Sequence, residues 1–140
     1  MAHIPDTKSL SASMQDYLEA ILELEERGES VRVTDIANKL QIAKASVNQT
    51  INKFKKKGLV RQEMYGPVEL TQEGRSLAEK IRETHRLLKR FLIEVLNVDP
   101  EIAEKDACRM EHAVSSHTME RLTDFLSRYG CPVKQEKTID

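Results

Sequence analysis

The chain has 140 residues, 39% hydrophobic and 32% charged, which argues against disorder and suits one compact domain or two small ones sharing a core. With 4% aromatic residues and no tryptophan, Leu, Ile and Ala must build that core, which favours helices over a β-sandwich. No apolar run reaches the length of a membrane span and no signal peptide opens the chain, so a cytoplasmic protein without a membrane partner is expected. The net charge of −1 argues against a nucleic-acid partner until its distribution is considered.

Residues 1–12 lack clear periodicity and read as a flexible arm. Ser13 can cap a first helix to about Arg27, with Tyr17, Leu18, Ile21, Leu22 and Leu24 at helical spacing and Gly28 as its stop. Residues 31–33 read as a short extended piece. Thr34 caps a second helix, 35–40, whose Ile36, Ala37 and Leu40 point inward. Residues 41–43 make a tight turn, and a third helix spans 44–57, ended by Gly58 in the left-handed conformation. Alternation then replaces helical periodicity. Leu59, Val60 and Arg61 enter a strand, residues 65–67 turn, and Val68, Glu69 and Leu70 return, giving a short hairpin. Thr71 caps a long helix to about Leu96, with Leu77, Ile81, His85, Leu88, Leu92 and Val95 on one face. Gly74 occupies the place where a capping box would carry an acid or amide. Residues 97–100 break this helix. Another follows from Glu101 through Ala113, and a last one, capped by Ser115 or Ser116, covers 119–129 up to Gly130. The expected fold is mainly α: an N-terminal winged helix-turn-helix with a β-hairpin wing over 1–75, then a helical domain over 76–140.

Charge separates the same two parts. Residues 31–75 hold nine basic and four acidic side chains, an excess of +5, which leaves −6 for the rest. A basic module joined to an acidic one is the pattern of a DNA reader with a separate control region. The third helix buries Val47, Ile51 and Phe54. Its other face shows Lys44, Ser46, Asn48, Gln49, Asn52 and Lys53, free of acids, where amides can pair adenine edges and lysines guanine or phosphate. Thr34, Arg61 and the hairpin-tip Tyr65 complete the residues expected to face double-stranded DNA. Lysines near a helix C-terminus are favourable through the dipole alone, so the hairpin that follows is what makes this face diagnostic.

Three segments offer metal ligands. Asp16 and Glu19 lie one turn apart on the first helix, His85 sits on the apolar side of the long helix, and Cys108, Glu111 and His112 make a C-x-x-E-H group. Carboxylate, imidazole and thiolate together suit first-row divalent ions rather than calcium or magnesium. Beside Ala107 and Met110, such a group is costly to bury without a cation. His117 and His3 receive no role. Each ligand type also has an ordinary reading, as exposed acid, satisfied core histidine or small buried thiol. Two other functions fit parts of the pattern: a winged-helix redox sensor using Cys108 or Cys131 without metal, and a mononuclear iron oxygenase. The oxygenase lacks a β-barrel pattern, so a non-enzymatic protein is expected.

The motifs D-Y-L-E-A-I (16–21), V-T-D-I-A-N-K-L (33–40), S-V-N-Q-T-I (46–51), L-T-Q-E-G (70–74), T-H-R-L-L (84–88) and D-A-C-R-M-E-H-A-V-S (106–115) go further. Over 13–130 the chain resembles the diphtheria toxin repressor family, most nearly its short manganese-transport-regulator branch. That resemblance implies a homodimer with a winged-helix domain, a helical dimerisation domain and a divalent metal co-repressor bound between them. Mn(2+) or Fe(2+) is the implied metal and operators of metal-uptake genes are the implied targets; the softer thiolate of Cys108 shifts preference toward Fe(2+), Co(2+) or Zn(2+), the last two expected in vitro. By position, Asp16 and Glu19 match acids of the manganese branch, His85 the ligand from the long helix, and Glu111 and His112 the shared pair. Cys108 departs from the manganese branch, which has Glu there, and matches the iron branch instead, where Met stands in place of Asp16. The iron branch's second metal uses His, Glu and His at positions that here hold His85, Lys89 and Glu104. Lys89 would repel a cation, which argues against a second site of that kind.

Overall fold

The computed structural model describes residues 10–64 and 66–129 and divides the chain into two compact units, Met1–Arg82 and Glu83–Asp140. In the first, α1 (Ala12–Glu26), α2 (Val33–Leu40) and α3 (Lys44–Lys57) precede the strands β1 (Val60–Gln62) and β2 (Val68–Leu70). A further helix, α4 (Gln72–Arg90), begins in the first unit and ends in the second. The second unit continues with a π-helical turn (Phe91–Val95), α5 (Pro100–Met110) and α6 (Ser116–Arg128).

Helices α1 and α2 each begin two residues before the sequence suggests, for a local reason. The cap of α1 is Ser11, not Ser13: its hydroxyl accepts the Met14 N–H at 3.1 Å. Leu10 before it is buried, which anchors the last part of the expected arm to the core, while residues 1–9 lie outside the described set. The second helix starts at Val33, so Thr34 is inside it rather than capping it. Asp35 closes that end by accepting the Arg32 N–H at 2.9 Å.

The turn from α2 to α3 places Gln41 at φ 58°, and Gly58 ends α3 at φ 76° with Leu59 N–H bonded to Phe54 O at 2.9 Å. Val47, Ile51 and Phe54 recur every turn and are fully buried; Phe54 meets Tyr17 edge to face at 6.3 Å. The wing pairs Val60 with Leu70 and Gln62 with Val68 in antiparallel register, and Val68 N–H also bonds Val31 O at 2.7 Å.

Gly74 explains itself here. A Cβ at that position would stand 2.0 Å from Leu59 O, so the first turn of α4 lies against the backbone just before β1 and excludes any side chain. Thr71 caps this turn by accepting the Gly74 N–H at 3.0 Å and donates its own hydroxyl to Gly58 O at 2.6 Å.

In the second unit the long helix ends as an α-helix at Arg90, short of Leu96. The Leu96 N–H reaches back five residues to Phe91 O at 3.2 Å. With the extra residue in that turn, the consecutive Phe91, Leu92 and Ile93 all pack on the same small core with Leu88, Ala103 and Ala107. Asp99 caps α5, Pro100 occupies its first position, and Ser115 caps α6 by accepting the Thr118 N–H at 3.1 Å. The helix expected to run through Ala113 stops at Met110. Glu111 is its C-cap and His112 lies in the turn beyond, so these two do not share a regular helical face with Cys108.

Candidate metal centre and nucleic-acid face

Among the residues expected to meet DNA, Thr34, Lys44, Ser46, Asn48, Gln49, Asn52 and Lys53 are all exposed, and so is Arg61, 3.8 Å from Glu69 across the wing. Tyr65 lies outside the described residues. Burying Val47, Ile51 and Phe54 turns the polar side of α3 outward, because the helical repeat leaves that side no other direction. No side chain caps the start of α3, and basic residues close its end. The face therefore offers amide and ammonium donors to phosphate oxygens and Asn and Gln side chains to base edges.

Asp16 and Glu19 stand on α1, exposed and half-buried respectively. In the second unit a histidine ties two carboxylates. His85 Nδ1 is 2.7 Å from Glu111 Oε1, and its Nε2 is 3.1 Å from Glu104 Oε2. Glu111 is the one carboxylate among the described buried polar residues, with its side chain 1% exposed, and its second oxygen faces His112 Nε2 at 3.7 Å. Burial pulls the His85 imidazole toward neutrality, but its bonds to Glu104 and Glu111 outweigh that and raise its pKa above the ordinary 6.5. Glu104 is held below its ordinary value first by Lys89, whose ammonium is 3.0 Å from Oε1, and then by His85. Cys108, an exposed thiol in no disulfide, has its Sγ 3.8 Å from Glu104 Oε2.

Residues 9–68 match the family model described as the iron-dependent repressor N-terminal DNA-binding domain. Residues 71–136 match that of the iron-dependent repressor metal-binding and dimerisation domain. An uncharacterised helix-turn-helix-type transcriptional regulator of Methanocaldococcus jannaschii is 36% identical over 86% of this chain and 97% of its own length. The chain belongs to the iron-dependent repressor family. Another member, the transcriptional regulator MntR of Escherichia coli, is 35% identical over 84% of this chain and 75% of its own length. The structure of the manganese regulator SloR superposes with a TM-score of 0.71 at 33% identity, covering 81% of this chain. The chain spans about half of SloR, 53% of its length.

Within this member of the family, the six ligand candidates are not equivalent. Glu111, a carboxylate that deeply buried, needs compensating positive charge, and the His85 imidazole at 2.7 Å is its nearest described source. His85 is held by Glu111 at Nδ1 and faces Glu104 at Nε2. Cys108 stands with Glu104 and His85. The expectation that Lys89 acts only as a repellent is incomplete, because its ammonium pairs with Glu104. Glu104, which the sequence analysis placed only at a position of the iron branch's second metal, stands beside both His85 and Cys108. The four-residue step from Glu104 to Cys108 on α5 was the signal that could have found it.

Proposed function

We propose that this protein is a homodimeric, metal-activated transcriptional repressor that binds double-stranded operator DNA through α3 and the wing. It acts by binding rather than by catalysis, in the cytoplasm. The single observation that carries the metal part is Glu111, a buried carboxylate flanked by the imidazoles of His85 and His112. The ligands we assign are Glu111 and His112, with Asp16 and Glu19 from α1 and with His85 and Cys108. The DNA-facing set is Thr34, Lys44, Ser46, Asn48, Gln49, Asn52, Lys53, Arg61 and Tyr65. We assign 1–75 to the DNA-binding domain and 76–140 to metal binding and dimerisation.

When bound, the ion supplies positive charge that lets several carboxylates share one shell. A divalent ion of the manganese or iron class suits hard oxygen donors with imidazole, and the preponderance of Asp and Glu favours Mn(2+). Ligation of acids from α1 together with Glu111 and His112 would restrict how the two reading helices of a dimer are presented, so that operator DNA meets a population already arranged for paired half-sites. By linkage, the operator must tighten metal binding by the same factor by which metal tightens operator binding.

Glu111→Ala tests this directly. Manganese-dependent operator binding should vanish while sedimentation still reports a dimer. Normal metal-dependent operator binding by that variant would overturn the proposal.

A further inference from the structure

The wing is held along one edge by a side chain. Thr71 N–H turns toward the chain that enters β1, meeting Leu59 O at 3.0 Å. Alternation then sends the N–H groups of Val68 and Leu70 out of the opposite edge of β2. Val68 N–H finds Val31 O there at 2.7 Å, in a bridge that is one residue long and does not extend to Leu70. Leu70 N–H donates instead to Glu25 Oε2, at 2.9 Å and across 45 positions of sequence. A carboxylate oxygen thus stands where the next strand's carbonyl would be.

Glu25 lies in the last turn of α1, and its side chain is only 16% exposed. Its Oε1 is 2.5 Å from Arg75 Nη2, near the start of α4. Arg75 counts toward the basic excess of residues 31–75, yet its guanidinium is engaged by Glu25. A second, independent observation is the local cost of this acid. The last turn of α1 carries no basic residue, and the C-terminal end of a helix disfavours negative charge. An acid in that place is justified by what it holds rather than by its own helix.

We infer that Glu25 is a positioning residue for DNA binding: it takes the Leu70 N–H, with Arg75 as counter-charge, and so fixes the direction in which the wing carries Arg61 toward the phosphate backbone. The inference rests on the repressor reading above and adds to it a residue that touches no DNA. Each strand of the wing is three residues long, and a two-stranded hairpin of that size does not hold its own direction. Leu70 pairs with Val60, the neighbour of Arg61, so a shift of β2 moves Arg61 with it. Two anchors on the outer edge, Val31 O and Glu25 Oε2, remove that freedom.

The test compares Glu25→Ala with Glu25→Gln in the full chain with saturating Mn(2+). The probe is a duplex that the wild-type protein selects from random-sequence DNA under the same conditions. Both variants remove the charge and release Arg75, but only glutamine keeps an oxygen for Leu70 N–H. Affinity is measured across a salt series, with and without Arg61→Ala. In wild type and in Glu25→Gln, Arg61→Ala should lower the slope of log Kd against log salt by about 1, the loss of one phosphate contact. In Glu25→Ala the slope should already lie about 1 below that of Glu25→Gln, and Arg61→Ala should change it no further. Glu23→Ala, which breaks a pair with Lys39 on the same helix, should leave the effect of Arg61→Ala intact. Hydrogen exchange reads the clamp without DNA: the Leu70 amide should be protected in wild type and in Glu25→Gln, and lose roughly tenfold protection in Glu25→Ala.

An Arg61→Ala effect of equal size in Glu25→Ala and Glu25→Gln would overturn the inference, because a side chain that only stabilises the fold leaves that effect unchanged. Arg61→Ala without effect in wild type would overturn it too. So would a Leu70 amide that exchanges at the unprotected rate in wild type, a result that counts even if Glu25→Ala does not fold. Failure of the wild-type protein to select any duplex with Mn(2+) would end the repressor reading and the DNA role of Glu25 together. The inference alone fails if wild type binds its duplex and Glu25→Ala keeps the full Arg61 contribution.

Discussion

In Met1–Arg82 one apolar cluster runs from Leu10 to Ile81 and takes in residues from every helix and both strands of that unit. Its charged groups pair at the surface or near it, as Lys39 does with Glu23 and Arg82 with Glu26. In Glu83–Asp140 the buried apolar set is short, Leu88, Leu92, Ala103, Ala107 and Leu126, and a carboxylate lies among the buried residues. Leu96, Ile102, Phe125 and Tyr129 there remain open to solvent. The first unit is stabilised by its own packing. The second has fewer buried apolar side chains to hold it, so the proposed metal would have more to add there.

The largest effect should come from the packed side of that contrast. Phe54→Ala removes the fully buried ring that meets Tyr17 and should cost about 3–5 kcal/mol in denaturant unfolding. It should also abolish operator binding with or without metal, because α3 loses its anchor. A loss below about 1 kcal/mol would contradict the idea that this unit is held by its core.

Metal addition probes the other side. At a hundredfold excess over Kd, Mn(2+) should add about 2.7 kcal/mol to the stability of the metal-bound region. Hydrogen exchange should show the new protection around α5, His85 and residues 111–112, with amides of Val47, Ile51 and Phe54 unchanged. Equal protection in α3 would erase the contrast between the units.

A smaller effect follows from Gly74. Gly74→Ala places a Cβ against the Leu59 carbonyl, a backbone atom that cannot rotate away, so a cost of about 1–3 kcal/mol is expected. Thermal melting indistinguishable from wild type would show that the close approach of α4 to the wing is absent in solution.

The smallest effect is the pH dependence of the metal-free chain. His85 has a raised folded pKa, so its contribution is full below the ordinary 6.5 and is lost as pH rises through the raised value. Glu104 has a lowered one, so its contribution is present above the ordinary 4.5 and is lost as pH falls through the lowered value. Melting temperature of metal-free protein should peak between those limits, and His85→Gln should flatten the alkaline limb. An unchanged alkaline limb in that variant would mean that the imidazole is not held between Glu104 and Glu111.

Much of the first unit could be read directly from residues. The spacing of Val47, Ile51 and Phe54 set the buried face of α3, and through it the outward direction of Lys44, Asn48, Gln49, Asn52 and Lys53. Gly58 marked the helix end, and the alternation around 60 and 70 marked the hairpin. Caps were less legible. Ser11 and Ser13 are equally good hydroxyls, and the choice rested on Leu10, whose burial is a tertiary fact. The Glu-His pair was legible as chemistry, but its position past the end of α5 was not, because nothing local to 111–113 shows where that helix stops.

The amino-acid sequence determined the order of elements, the polar side of the reading helix and the kinds of ligand atom available, since helical and strand periodicity and side-chain chemistry are properties of neighbouring residues. Tertiary structure decided which ligands keep company. His85 and Glu111 are 26 positions apart and meet only because α4 and the end of α5 share one small core. The same packing sets His85 against Glu104 and Cys108, which are themselves one turn apart on α5.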